Sequence, residues 1–182
     1  MPIKVFVDAS VGKAMAGAGV VIDLGPGSLA PIELAIPLGK IDSPNEAEVL
    51  AIHRAADLFL SLVALINHGR ALNDEYVVIQ CDSSAAVKAI QLCEQVKPKP
   101  LRVLAKKARK AWDNIRISLQ NGPGYIAGWS IVKIDRTRNV AHDLAAQAVA
   151  QSEDLYTWTK STPSSGPSSS TASTSRRKPR SL

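Results

Sequence analysis

Cysteine is scarce in this chain: 182 residues hold two, Cys81 and Cys93. Their spacing matches no zinc-ligand pattern and two thiols build no disulfide framework, so they read as reduced thiols in or near the core. Long apolar runs are also missing. The longest, LFLSLVALI at residues 58–66, is nine residues, well short of the ~20 needed to span a bilayer. No leader-like segment precedes the first strand-like stretch, and no internal repeat is visible. The expectation is a soluble protein of the cytoplasm or nucleus, with no membrane role and no small-molecule cofactor, acting as a monomer.

Hydrophobic residues make up 46% of the chain, enough for a core. The net charge of +6 is unevenly spread: the last 22 residues carry Arg176, Arg177, Lys178 and Arg180 with no acid. Residues 97–116 hold eight Lys/Arg against one acid, Asp113. Basicity concentrated in this way suits a polyanionic partner.

Residues 3–9, 18–24 and 31–38 read as three strands with short connections, the second of which includes the GPG turn at 25–27, as in an antiparallel meander. From Pro44 to about His68 the apolar residues Val49, Ile52, Ala55, Phe59, Leu62 and Ile66 recur at steps of three and four, the period of an amphipathic helix. Ser43 before Pro44, with Glu46 three residues on, predicts its start. YVVIQC at 76–81 is a near-continuous apolar strand suited to the centre of a sheet. A short helix follows Asp82, then a basic helix at about 101–115, a break at NGPG (121–124), a last strand at 125–134 and a last helix at 139–151. Trp112 and Trp129 are expected in the core, His53 and His68 at the surface or helix ends. The Ser/Thr/Pro-rich end cannot bury a core, and its composition predicts a disordered basic tail over 156–182 after a domain at 1–155.

Three acids fall at special places. Asp8 closes the first strand, Glu48 lies one turn inside the long helix beside its apolar stripe, and Asp82 follows the fourth strand. Singly, each has an ordinary reading: a turn-opening Asp, a first-turn Glu favoured by the helix dipole, an N-cap. Together, at one spot, they would repel unless a divalent cation neutralised them. Hard Mg²⁺ or Mn²⁺ suits such carboxylates, and two ions about 4 Å apart would clamp a phosphodiester.

Four blocks carry a resemblance: VFVDAS with AGAGVVI, then NEAEVLAI, then CDSSAAVKAI, then RTRNVAHDLAAQA. In this order and on these elements they resemble the type 1 ribonuclease H family, above all the reverse-transcriptase-like domains of retroelements. The likeness covers about residues 2–151. It implies an α/β fold: a five-stranded mixed sheet, three antiparallel strands then two parallel, flanked by helices. It implies a hydrolase, a metal-dependent endonuclease that cuts the RNA strand of an RNA–DNA hybrid with two Mg²⁺ or Mn²⁺ ions. By that likeness Asp8, Glu48 and Asp82 are catalytic metal ligands.

The fourth block departs from the family pattern, in which Asn is followed four residues later by Asp and then, two residues on, by Leu-Ala. Here Asp143 stands four residues after Asn139, but Leu144 follows at once, and alignment on Leu144-Ala145 selects His142. The two side chains point about 100° apart on a helix. Asp143 is placed ahead, because a carboxylate suits Mg²⁺ better, with His142 as the alternative. The displaced acid also leaves room for a catalytically weak or inactive module that only binds nucleic acid. Phosphate contacts are expected from Lys97, Lys99, Arg102, Lys106, Lys107, Arg109 and Lys110, where several family members carry a basic protrusion, and from Arg136. Ser10, Asn45, Ser83 and the amides of residues 10–12 are expected donors to the hybrid's sugar–phosphate groups.

Overall fold

The computed structural model describes residues 2–25, 30–66, 75–120 and 126–161. The expected readings of His68, most of the GPG turn, the NGPG break and residues 162–182 lie outside the described residues.

Five strands form one sheet: β1 (Ile3–Val11), β2 (Ala16–Asp23), β3 (Ile32–Gly39), β4 (Glu75–Cys81) and β5 (Ile126–Lys133). Their order is β3-β2-β1-β4-β5. The meander β1-β2-β3 is antiparallel, while β4 and β5 run parallel to β1. Among the described residues there are four helices, α1 (Pro44–Ile66), α2 (Ser84–Gln91), α3 (Lys99–Gln120) and α4 (His142–Ser161), with 3₁₀ turns at Cys93–Gln95 and Arg136–Arg138. No described helix is long and apolar enough to cross a membrane.

Strand alternation sends successive side chains to opposite faces. Ile3, Val5 and Val7 of β1, Ala18, Val20 and Ile22 of β2, and Val77, Ile79 and Cys81 of β4 join one core with α1, α2 and α3. Trp112 is fully buried there, and its indole N–H donates to the Ile52 carbonyl at 3.1 Å. Trp129 is half-buried against the same core and donates to Asp113 Oδ1 at 3.0 Å. His53, expected at the surface, is half-buried in α1.

The other face carries α4, packed on β1, β2 and β3. Here the sequence places glycine. A Cβ at Gly19 would fall on the Ala141 carbonyl oxygen and 2.7 Å from the Ala145 amide nitrogen. Only a residue without a side chain lets the helix come that close. Gly19 pairs with Asp8 across the ladder, so the same contact seats the start of α4 over Asp8. Gly19→Ala is therefore expected to cost about 1–3 kcal/mol of stability as overpacking and to lift α4 away from Asp8. Thermal unfolding reads the first effect; the second is a loss of the contact between Asp8 and α4, visible in the histidine resonances.

Helix limits differ from the sequence expectation for physical reasons. α1 starts as expected, with Ser43 Oγ accepting from the Glu46 amide at 3.4 Å. α3 begins at Lys99 rather than 101, since Pro100 is tolerated in a first turn whose N–H groups lack partners. α4 begins at His142 rather than 139, because Asn139 is held by its side chain outside the helix. It ends at Ser161, past the expected helix end at 151.

Candidate metal centre

The C-terminal end of β4 lies beside the middle of β1, which runs on to Val11 rather than ending at 9 as expected; the two strands are parallel neighbours, with Val7 opposite Cys81. Asp8 and Asp82 are the next residues along each. Asp8 is buried, while Asp82 and Glu48 are half-buried. α1 crosses the core face and brings Glu48 to the same place: ligand atoms of Glu48, Cys81 and Asp82 all lie within 4.8 Å of one another. Glu48 also shares a side-chain hydrogen bond with Asp8. The three acids thus meet, from three elements.

Among the described residues no lysine or arginine pairs with any of them. The electrostatic consequence is large. Burial, then the charges of Asp8 and Asp82, push the Glu48 carboxyl up to about 8. Burial also raises Asp8; the hydrogen bond from His142 opposes this, and the charge of Asp82 adds to it. Two carboxyl groups in hydrogen-bond range hold a proton between them when nothing else neutralises the pair. A divalent cation is such a neutraliser, and the oxygen-rich donor set fits Mg²⁺ or Mn²⁺.

Three neighbours frame the acids. Asn139 is buried; its amide donates to the Val7 carbonyl at 3.0 Å and to Asp82 Oδ1 at 3.4 Å. It ties β1, next to Asp8, to the residue after β4. Its Oδ1 accepts from the Ala141 amide at 3.4 Å, which fixes the entry to α4. In the sequence Asn139 serves only as a marker for spacing; in the fold it braces the site. Cys81, placed in the core as expected, also touches the cluster, with Sγ 3.7 Å from Glu48 Oε2. Burial, then the charge of Glu48, raises its thiol far above the ordinary range.

His142 is the third. Its Nδ1 lies 2.6 Å from Asp8 Oδ2. Asp143 is exposed, one residue further round the helix. Of the two candidates for the fourth position, His142, and not the preferred Asp143, meets Asp8. The physical reason is the start of α4 at His142, which turns that residue toward the sheet and its successor toward solvent.

The expected nucleic-acid contacts divide in two. Lys99, Lys107 and Lys110 are exposed on α3, and Arg102 is half-buried. Lys106 instead pairs with Glu94 at 2.7 Å, and Arg109 donates to the Gln91 carbonyl at 3.1 Å. Arg136 lies 3.0 Å from His142 Nε2. Ser83, and not Asp82, caps α2: its Oγ accepts from the Ala86 amide at 3.2 Å. Ser10 is half-buried on β1 and Asn45 exposed in the first turn of α1.

No family model matches the sequence, and no curated protein sequence does. Solved structures do match. RNase H1 from the halophilic archaeon Halobacterium salinarum is 20% identical, with a TM-score of 0.57, over 83% of this chain and 99% of that one. LC11-RNase H1, solved in complex with an RNA/DNA hybrid, is 24% identical, with a TM-score of 0.58, over 83% and 99%. The PFV RNase H domain is 16% identical, with a TM-score of 0.53, over 84% and 94%. The mixed sheet and its four helices are therefore the ribonuclease H fold.

Proposed function

We propose that this chain is a divalent-metal-dependent ribonuclease H, hydrolysing phosphodiester bonds in the RNA strand of an RNA–DNA hybrid. The observation that carries the reading is the meeting of Asp8, Glu48 and Asp82 with no lysine or arginine partner among the described residues. Its support from likeness is the shared fold with LC11-RNase H1, whose structure holds a hybrid.

In this reading Asp8, Glu48 and Asp82 hold a pair of Mg²⁺ or Mn²⁺ ions. Bound there, the ions supply the positive charge that activates water and stabilises a leaving oxygen. The remaining work falls to the chain. Asn139 aims Asp82 by donating to one of its oxygens. The exposed Lys99, Lys107 and Lys110, with Arg102, meet phosphates along α3, which adds affinity without reading sequence. Ser10, Asn45 and Ser83 flank the acids on three elements, where 2′-hydroxyl groups of the RNA strand offer both donors and acceptors.

A labelled hybrid incubated with the purified chain is expected to be cut in its RNA strand when Mg²⁺ or Mn²⁺ is present and to stay intact with a chelator. Folded protein that cuts nothing in either metal contradicts the reading. A second reading, a module that binds hybrid without turnover, draws on the histidine at the fourth position. It predicts salt-sensitive binding that survives Asp82→Asn while wild type gives no cleavage.

A further inference from the structure

Arg136 and His142 form a chain of contacts that ends on Asp8. His142 Nδ1 lies 2.6 Å from Asp8 Oδ2, and Nε2 lies 3.0 Å from Arg136 Nη2. A guanidinium has five N–H groups and no acceptor. The contact to Nε2 is therefore a hydrogen bond only when that nitrogen presents its lone pair. The single ring proton then sits on Nδ1 and is donated to the Asp8 carboxylate. The opposite tautomer sets N–H against N–H at Arg136. A ring carrying both protons does the same.

We propose that Arg136 is a positioning residue that locks His142 as the Nδ1–H imidazole, so that His142 orients Asp8 and offers no ring nitrogen to a metal ion. Nδ1 is spent on Asp8 and the Nε2 lone pair on Arg136. The fourth position thus works through a hydrogen bond to a ligand rather than as a ligand, the arrangement by which an outer residue fixes the lone-pair direction of an inner one. Three features build it: the close seat of α4 on Gly19, the 3₁₀ turn Arg136–Arg138 just before α4, and Asn139 pinning the link between them. The sequence alone assigns Arg136 to phosphate; in the fold its guanidinium faces the imidazole. The functional side of the proposal rests on the ribonuclease H reading, whereas the tautomer does not.

The test is the imidazole nitrogen spectrum of the ¹⁵N-labelled full chain, free of metal. The chain has three histidines, and the His142→Gln spectrum identifies which signals belong to His142. The expected pattern is a protonated Nδ1 and a bare Nε2. Arg136→Lys keeps it, because an ammonium also only donates; Arg136→Ala shifts the ring toward the Nε2–H form. Mg²⁺ leaves the tautomer as it is. An Nε2–H ring in wild type, an Nδ1–H ring unchanged in Arg136→Ala, or loss of the Nδ1 proton on adding Mg²⁺ overturns the proposal. In turnover, Arg136→Ala is expected to lower kcat on hybrid by about 10-fold or more, with recovery in Arg136→Lys. An effect confined to KM marks a phosphate contact and overturns the positioning role. Absence of cleavage by wild type removes the nuclease reading alone and leaves the nitrogen spectrum to decide the tautomer.

Discussion

Asp8→Asn is expected to lower Mg²⁺-dependent hybrid cleavage on the order of 10³-fold and, in the same protein without metal, to raise the melting temperature. The first effect follows from losing one of three anionic ligands. Metal-held charge is worth several kcal/mol to the reaction, and each ~1.36 kcal/mol is a tenfold change in rate. The second follows from repulsion. Asp8 is buried, shares a hydrogen bond with Glu48 and feels the charge of Asp82. Asn keeps the shape and an oxygen that accepts from His142, and it removes the charge. Cleavage assays and thermal unfolding on one preparation read both signs. A variant that loses activity by misfolding moves both measurements downward instead.

The second large effect is a pH dependence of metal-free stability with an unusual sign for an acid. Glu48 moves from 4.5 when unfolded to about 8 when folded. Below 4.5 both states carry the proton and Glu48 contributes no pH dependence. As pH rises from there, the unfolded chain releases the proton while the folded chain keeps it. Stability falls wherever the folded state binds more protons, so it declines up to about 8 and then levels off. Each pH step of one across that window is worth about 1.36 kcal/mol, so the loss is on the order of a few kcal/mol. Asp8, raised by burial, adds in the same direction. Glu48→Gln is expected to flatten this slope and to raise the melting temperature at about pH 8 by roughly 5–10 °C, at about 2–4 °C per kcal/mol for a chain of this size. Mg²⁺ or Mn²⁺ acts against the same repulsion. At 100 times its Kd, an ion adds about 2.7 kcal/mol to wild type. The gain grows from acid toward about pH 8, because the ion must displace the proton held by the acids. A flat melting profile in wild type, or an equal metal effect in Glu48→Gln, contradicts the account.

Much of this was legible in the residues because local patterns and fold agree. β4 is a short apolar run, and it sits at the fourth place in a sheet with neighbours on both sides. The Ser43 cap and the apolar steps of α1 fix which turn of the helix Glu48 occupies. Three acids, one within β1, one just after β4 and one on α1, follow from that framework. What was not legible depends on distances between elements far apart in sequence. His142 and Asp143 are neighbours, and spacing favours one while the Leu-Ala register favours the other. The choice is made by Gly19, over a hundred residues earlier, which sets how closely α4 approaches, and by Asn139, which delays its start. The pairing of Lys106 with Glu94 and of Arg109 with the Gln91 carbonyl likewise reflects the return of α3 beside α2. A charge count over residues 97–116 treats all eight cations alike.

The most direct test of the central claim is Mn²⁺ binding to the full-length chain, followed by electron paramagnetic resonance, with Asp8→Asn and Asp82→Asn beside wild type. The account predicts saturable binding in wild type that each single substitution weakens sharply while the fold is kept. Binding that is absent from folded wild type, or unchanged in both variants, would show that the three carboxylates do not form the ion site.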